Sequence, residues 1–257
     1  MRNRAGPQGR SGRRSRGSRP RGPGRGGPSA TRRIRWRRGS WPRPTRRWAP
    51  SPAATAPTVK ALAGKSSTVR PDPGLVVEER PTVYRPAEDS YLLLGAVWVS
   101  PGGRFLEVGA GTGLLALHAA RITDAVATDA NPDAVRLVRE NSRRNRLRVD
   151  VVLTDLMAGL RGPFDVVAFN PPYLEGRPDD DLERAWAGGA SGSEVTMRFL
   201  ADLPRVLAPG GRAYLLLSHA NASARALAES TFHVRDLASK ALFFETLDVL
   251  ELSDRLE

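Results

Sequence analysis

The tetrapeptide Asn170-Pro171-Pro172-Tyr173 follows the apolar run "DVVAF" and cannot continue strand pairing, because its prolines lack the N–H a ladder needs. Its residue types suit group transfer to a planar, conjugated nitrogen. Such a nitrogen has a delocalised lone pair, so it must be oriented and not merely bound. The Asn170 side-chain oxygen and the Pro171 backbone carbonyl can each accept one N–H, and Tyr173 can pack on the planar group. A second constellation is "EVGAGTG", where Gly109, Gly111 and Gly113 allow a tight turn and close approach to a ligand, with Glu107 at the strand end. Asp129, 18 residues after Gly111, offers a carboxylate suited to a ribose diol, and Asp155-Leu156 ends the next apolar run. Each piece also has an ordinary structural use. The glycines make a plain strand-to-helix turn, and Asp129 can start the turn before Pro132.

These residues need strands and helices to bring them together. "GRFLEV", "AVATDAN", "VDVVLTDL", "FDVVAF" and "GRAYLLLS" read as strands. "YRPAEDSYLLLGAVWV", "LLALHAARI", "NPDAVRLVRENSRRN", residues 193–207 and "NASARALAES" read as helices. The closing runs "FHVRDLA" and "ALFFETLDVLEL" are β-rich. This alternation predicts an α/β, Rossmann-like fold: a mostly parallel seven-stranded sheet with helices on both faces. In such a sheet ligands bind at the carboxyl ends of the strands, near the reversal of strand order. The glycine loop, the three acids and the Asn-Pro-Pro-Tyr turn all fall there.

The glycine pattern is not the dinucleotide fingerprint G-x-G-x-x-G, because residue 114 is Leu. It resembles the first motif of class I S-adenosylmethionine-dependent methyltransferases. The Asn-Pro-Pro-Tyr motif occurs in N-methyltransferases acting on adenine, on guanine in rRNA and on glutamine, which specifies chemistry better than substrate. Residues 76–252 resemble the HemK-type glutamine methyltransferases of translation release factors, and within them the archaeal and eukaryotic branch. The resemblance rests on "VYRPAEDSYLLL", "LEVGAGTG", "TDANPDA", "TDL", "FNPPY" and "AWAGGASGSEVTMRFL". It implies a cofactor pocket of Ser90, Glu107, Gly109, Gly111, Gly113, Asp129, Asp155, Leu156 and Asn170. It also implies an acceptor side built from Asn170, Pro171, Pro172, Tyr173 and Trp186. The implied activity is methylation of the Gly-Gly-Gln motif of a peptide chain release factor, in a heterodimer with a small zinc-binding activator subunit. N-methylation of RNA or DNA bases and protein lysine methylation are the alternatives. Read without the family, Pro86, Glu88 and Asp89 are a normal helix start, and Trp186 is a loop residue packing over the core.

The net charge of +13 divides unevenly. Residues 1–70 hold 18 Arg and 2 Lys with no acid, whereas residues 71–257 hold 20 basic and 27 acidic residues. The first segment is expected to be a disordered Arg/Gly/Pro-rich tail, with Trp36, Trp41 and Trp48 interleaved, that could hold RNA phosphates. The same composition arises from GC-rich sequence lying upstream of a later true start. The catalytic domain is expected over 71–257, with a net charge of −7 that makes a poor nucleic-acid surface by itself. No apolar run approaches the length of a membrane span, and the absence of Cys removes thiolate chemistry. A cytoplasmic protein with no membrane association and no catalytic metal is the expectation.

Overall fold

Strand β3 (Arg104–Val108) is the centre from which the sheet is built. It pairs in parallel with β4 (Asp124–Asp129) on one side and β6 (Phe164–Phe169) on the other. β5 (Val149–Leu153) extends the first side, and β7 (Leu207–Ser218) extends the second in parallel. β9 (Thr246–Ser253) and β8 (His233–Ala241) then close that side as an antiparallel pair. The order is β5-β4-β3-β6-β7-β9-β8, seven strands with one antiparallel insertion. Strand order reverses between β3 and β6, so the loops after these two strands share the ligand-binding edge.

The computed structural model describes residues 67–69, 71–176, 187–242 and 245–255. These belong to one unit, Lys60–Glu257. Residues 67–69, which composition assigns to the tail, lie within it. Ser67–Thr68 (β1) pairs with Trp98–Val99 (β2), and Val69 is buried with its N–H on the Val97 carbonyl. The expected boundary at residue 70 therefore falls slightly late, because these few residues have a β2 edge to pair with. The remainder of the 1–70 segment lies outside the described residues.

Alternation along the central strands divides the apolar side chains between two layers. Phe105, Tyr214, Leu216 and Val249 face the layer that includes α1 (Glu88–Ala96) and α2 (Leu114–Ala119). Leu106, Val108, Leu215, Leu217 and Leu250 face the layer of α4 (Glu194–Asp202) and α5 (Ala222–Thr231). α3 (Pro132–Arg144) starts as its sequence predicts, with Asn131 accepting the Asp133 N–H and Pro132 in the first turn. The helix expected over 193–207 stops at Asp202 and tightens into a 3-10 turn at Leu203–Arg205. Pro204 disfavours further α-helix in the residue before it and supplies no N–H. The strand expected over 149–156 ends at Leu153. Among the described residues no helix is long and apolar enough to cross a membrane.

An extended strap, residues 72–84, crosses the α2/α3 layer on side-chain bonds that imitate strand pairing. Asn145 accepts the Val76 N–H and donates to the Val76 carbonyl, and Asn141 does the same at Glu78. Asn131 donates to the Thr82 carbonyl. The strap delivers Val83 and Tyr84 to the mouth of the cavity formed at the switch point.

Candidate active site

A cavity of about 560 Å³ opens at the carboxyl edge between β3 and β6. Its size is that of a small-molecule cofactor site. One end is built from the glycine loop and the strand-end acids. Glu107 is buried, and its two oxygens accept the Leu115 and Ala116 N–H groups at the start of α2, at 3.2 and 2.7 Å. Burial pushes its carboxyl up to about 8, against the pull of those donors. Asp129 accepts the Gly111 N–H on one oxygen and the Asn131 N–H on the other, each at 2.8 Å. Burial raises its carboxyl as well. The Ala130 N–H is a third donor to this carboxylate, which leaves one lone-pair site for a ligand hydroxyl. The structural and ligand-binding uses of Asp129 are therefore compatible.

Glu107, Gly109, Gly111, Asp129, Asp155, Leu156 and Ser90 all line the cavity. Gly113 does not. Its backbone is left-handed, and a Cβ there would crowd Val138 of α3, so this glycine lets α2 and α3 pack. The Ser90 hydroxyl is already engaged, donating to Asp89 at 3.1 Å and accepting the Ala87 N–H at 3.4 Å. Asp155 is exposed and ion-paired with Arg198 of α4 at 2.5 Å. Leu156 beside it holds a left-handed backbone at φ 50°, unusual for a residue with a Cβ, and its side chain faces the cavity.

The other end is the turn after β6. Asn170, Pro171, Pro172 and Tyr173 all line the cavity. The Asn170 Nδ2 donates to the buried Asp89 carboxylate at 3.0 Å. The same Asp89 oxygen accepts the Tyr84 hydroxyl at 2.8 Å, and Asp89 also hydrogen-bonds Tyr173. Burial, followed by the Asp89 charge, holds both phenols well above their ordinary range. With its nitrogen committed to Asp89, Asn170 keeps a buried Oδ1 that has no partner. No described residue donates to the Pro171 carbonyl either. Two acceptors without partners thus belong to consecutive residues that line the cavity.

The glycine segment 188–192 clamps this turn. The Gly188 N–H donates to the Leu174 carbonyl at 2.8 Å, and a Cβ at Gly188 would collide with the Pro172 carbonyl. A Cβ at Gly192 would likewise collide with the Tyr173 carbonyl, which accepts the Asn221 amide at 3.2 Å. Glu194 fastens the segment to α4 by accepting the Ser191 and Ser193 N–H groups. Trp186, expected on the acceptor wall, lies outside the described residues. Among the described residues no group of His, Cys, Asp or Glu could hold a metal ion.

Sequence reasoning missed Asp89, Tyr84 and Arg198. Asp89 carried a signal, an acid at a helix start, but macrodipole compensation accounts for that signal equally well. Tyr84 and Arg198 lie inside the stretches "VYRPAEDSYLLL" and "AWAGGASGSEVTMRFL", but their own residue types do not single them out.

Comparison with known proteins matches residues 85–244 to the methyltransferase small domain. A putative protein N5-glutamine methyltransferase of Methanocaldococcus jannaschii is 38% identical over 151 residues, which are 56% of this chain and 77% of that one. The mouse methyltransferase HEMK2 is 40% identical over 151 residues, covering 52% and 71% of the two chains. Among solved structures, a chain of the E. cuniculi Mtq2–Trm112 complex, responsible for methylation of the eRF1 termination factor, superposes with a TM-score of 0.55. It is 27% identical, with 68% of this chain and 99% of that chain covered.

Proposed function

The chain belongs to the methyltransferase small domain family, in the HemK-type branch of its archaeal and eukaryotic relatives, and from that premise we propose its substrate. It methylates the glutamine side-chain amide in the Gly-Gly-Gln motif of a peptide chain release factor. The observation that carries this reading is the buried, unpartnered Oδ1 of Asn170. Asp89 takes the amide nitrogen of Asn170, which leaves the oxygen without a partner in a residue that lines the cavity. A primary amide offers two N–H groups, and Asn170 Oδ1 with the Pro171 carbonyl offers two acceptors.

S-adenosylmethionine, the cofactor we assign to this family member, supplies an electrophilic methyl group on a sulfonium when bound. The cavity fits it. Asp129 has a lone-pair site free for a ribose hydroxyl, Leu156 offers an apolar wall for adenine, and Glu107 and Asp129 give a cation-favouring interior. Gly109, Gly111 and Asp155 complete the proposed cofactor side. On the acceptor side, fixing both N–H groups sets the direction of the nitrogen lone pair, which converts a weak nucleophile into an aligned one. No strong base is required, because the N–H becomes acidic only as the new bond forms. Tyr173 and Pro172 enclose the planar group, and Trp186 is assigned to the same wall. Gly188 and Gly192 keep the turn from moving.

The relative solved with Trm112 supports a small activator partner here, which we take to be a zinc-binding subunit. We place the enzyme in the cytoplasm, with its release factor. The test is incubation of the full chain, co-produced with a Trm112-type partner, with methyl-labelled cofactor and either a release factor or total RNA. Label on the Gly-Gly-Gln glutamine, lost when that residue is changed, is expected. Label on RNA alone, abolished by deleting the basic segment before Ser67, would replace this reading with base methylation.

A further inference from the structure

One carboxylate at the acceptor end has no part in this machinery. Glu245 stands in the turn between β8 and β9, where its carbonyl accepts the Leu242 N–H at 2.7 Å. β9 runs antiparallel to β7 with Leu247 opposite Ser218, so the start of β9 lies at the same sheet edge as the end of β6. That placement sets Glu245 against the Ser218 hydroxyl, which it hydrogen-bonds, and within electrostatic reach of Asp89, Tyr84 and Tyr173. Glu245 is half-buried, and among the described residues no basic side chain faces it. The lysine of its own hairpin, Lys240, is paired with Glu88 at 3.3 Å. A partly desolvated carboxylate without a cation gains a charge-assisted hydrogen bond when a basic group is brought beside it. Asp89 cannot serve that partner, because Tyr84, Asn170 and Ser90 already occupy both of its oxygens. The unpaired Asn170 Oδ1 is an independent open acceptor at this same end.

We infer that Glu245 is a specificity-determining residue that receives a basic side chain lying beside the methyl-accepting nitrogen in the acceptor polypeptide. The inference rests on a polypeptide acceptor, as proposed above, and it selects among such acceptors. Glu245 plays no part in orienting the reacting nitrogen, so it should act on acceptor affinity and leave the chemical step unchanged.

The experiment uses the full chain with its partner and two otherwise identical peptides carrying the target glutamine, one with Arg beside it and one with Ala. Peptide binding is measured by fluorescence anisotropy and turnover by methyl label, for the parent and for Glu245→Gln. The parent should bind the Arg peptide about tenfold more tightly, the scale of one charge-assisted contact. In E245Q that preference should vanish through loss on the Arg peptide alone, with kcat and cofactor Kd within twofold of the parent. A Glu245→Lys variant should reverse the preference toward a peptide with Glu beside the target. Equal binding of the two peptides by the parent, or an equal loss on both in E245Q, overturns the inference. Turnover judges the other reading separately. If the parent binds with the expected preference and methylates neither peptide, the glutamine assignment fails while the role of Glu245 stands.

Discussion

The Asn170 amide nitrogen donates to the Asp89 carboxylate at 3.0 Å, joining the turn after β6 to the first turn of α1. An anionic acceptor distinguishes the two ends of an amide as a neutral one cannot. Asp89→Asn, of the same size, removes that distinction, because its own amide can face either end of Asn170. We expect kcat to fall about 10- to 100-fold, the value of one charge-assisted hydrogen bond, with cofactor Kd little changed. Asn170→Ala should lose on the order of 30- to 1000-fold. The double variant should be no slower than Asn170→Ala alone, since Asp89 acts through Asn170. Additive losses in single-turnover rates would show that Asp89 has a separate role.

The clamp gives a second expectation. A Cβ at Gly188 would collide with the Pro172 carbonyl, which is backbone and cannot swing aside. Gly188→Ala should cost on the order of 1–3 kcal/mol of stability and reduce methyl transfer by displacing the turn. Gly95 in α1 is the control, since nothing lies within 4 Å of a Cβ there. Gly95→Ala should stabilise by roughly 0.5–1 kcal/mol and leave activity unchanged. Thermal melts of the two variants beside the parent decide it.

What could be read before the structure was whatever strand ends announce. Glu107, Asp129, Asp155 and Asn170 each close an apolar run, and a parallel sheet gathers such positions at one edge whatever the loops do. Gly113 reads as part of the cofactor loop from its spacing alone, since a glycine that lets a chain approach a ligand and one that lets two helices touch leave the same letter. Asp89 and Asn170 are 81 residues apart, and no local pattern ties them. The need for glycine at 188 and 192 becomes visible only once the Pro172 and Tyr173 carbonyls are in place. Glu245 resembled any hairpin acid until the antiparallel insertion of β9 carried it to the acceptor end.

The strap is held partly by a histidine of fixed tautomer. His118 Nδ1–H donates to the Leu114 carbonyl at 2.7 Å, which leaves Nε2 to accept the Asp72 N–H at 3.0 Å. Burial lowers the His118 pKa from its ordinary value of 6.5. The unfolded chain therefore binds this proton more readily. The stabilising contribution is complete above pH 6.5 and is lost as pH falls through the lowered folded value. The Arg121–Asp72 ion pair beside it is common to both states of the ring. Thermal melting between pH 8 and 5 should show the loss in the parent, and His118→Gln should show a shallower one. Identical pH profiles for the two proteins would remove His118 from the account.

Glu107 gives the opposite sign. Its folded pKa, raised by burial to about 8, lies above its ordinary value of 4.5, so the cofactor-free fold retains a proton that the unfolded chain releases. That contribution to stability is complete below pH 4.5 and is lost as pH rises through about 8. Binding works against this trend. A sulfonium cofactor favours the ionised carboxylate, so its Kd should fall as pH rises toward 8 and level off above it, while the melting temperature of the free protein drifts down over the same interval. Glu107→Gln removes both dependences at once, leaving weaker binding that does not vary with pH and a flatter stability profile. Isothermal titration from pH 6.5 to 9, paired with melts of the unliganded protein, separates the two effects. A parent Kd that stays constant across this range, with Glu107→Gln binding equally well, would leave Glu107 as a cap for α2 and nothing more.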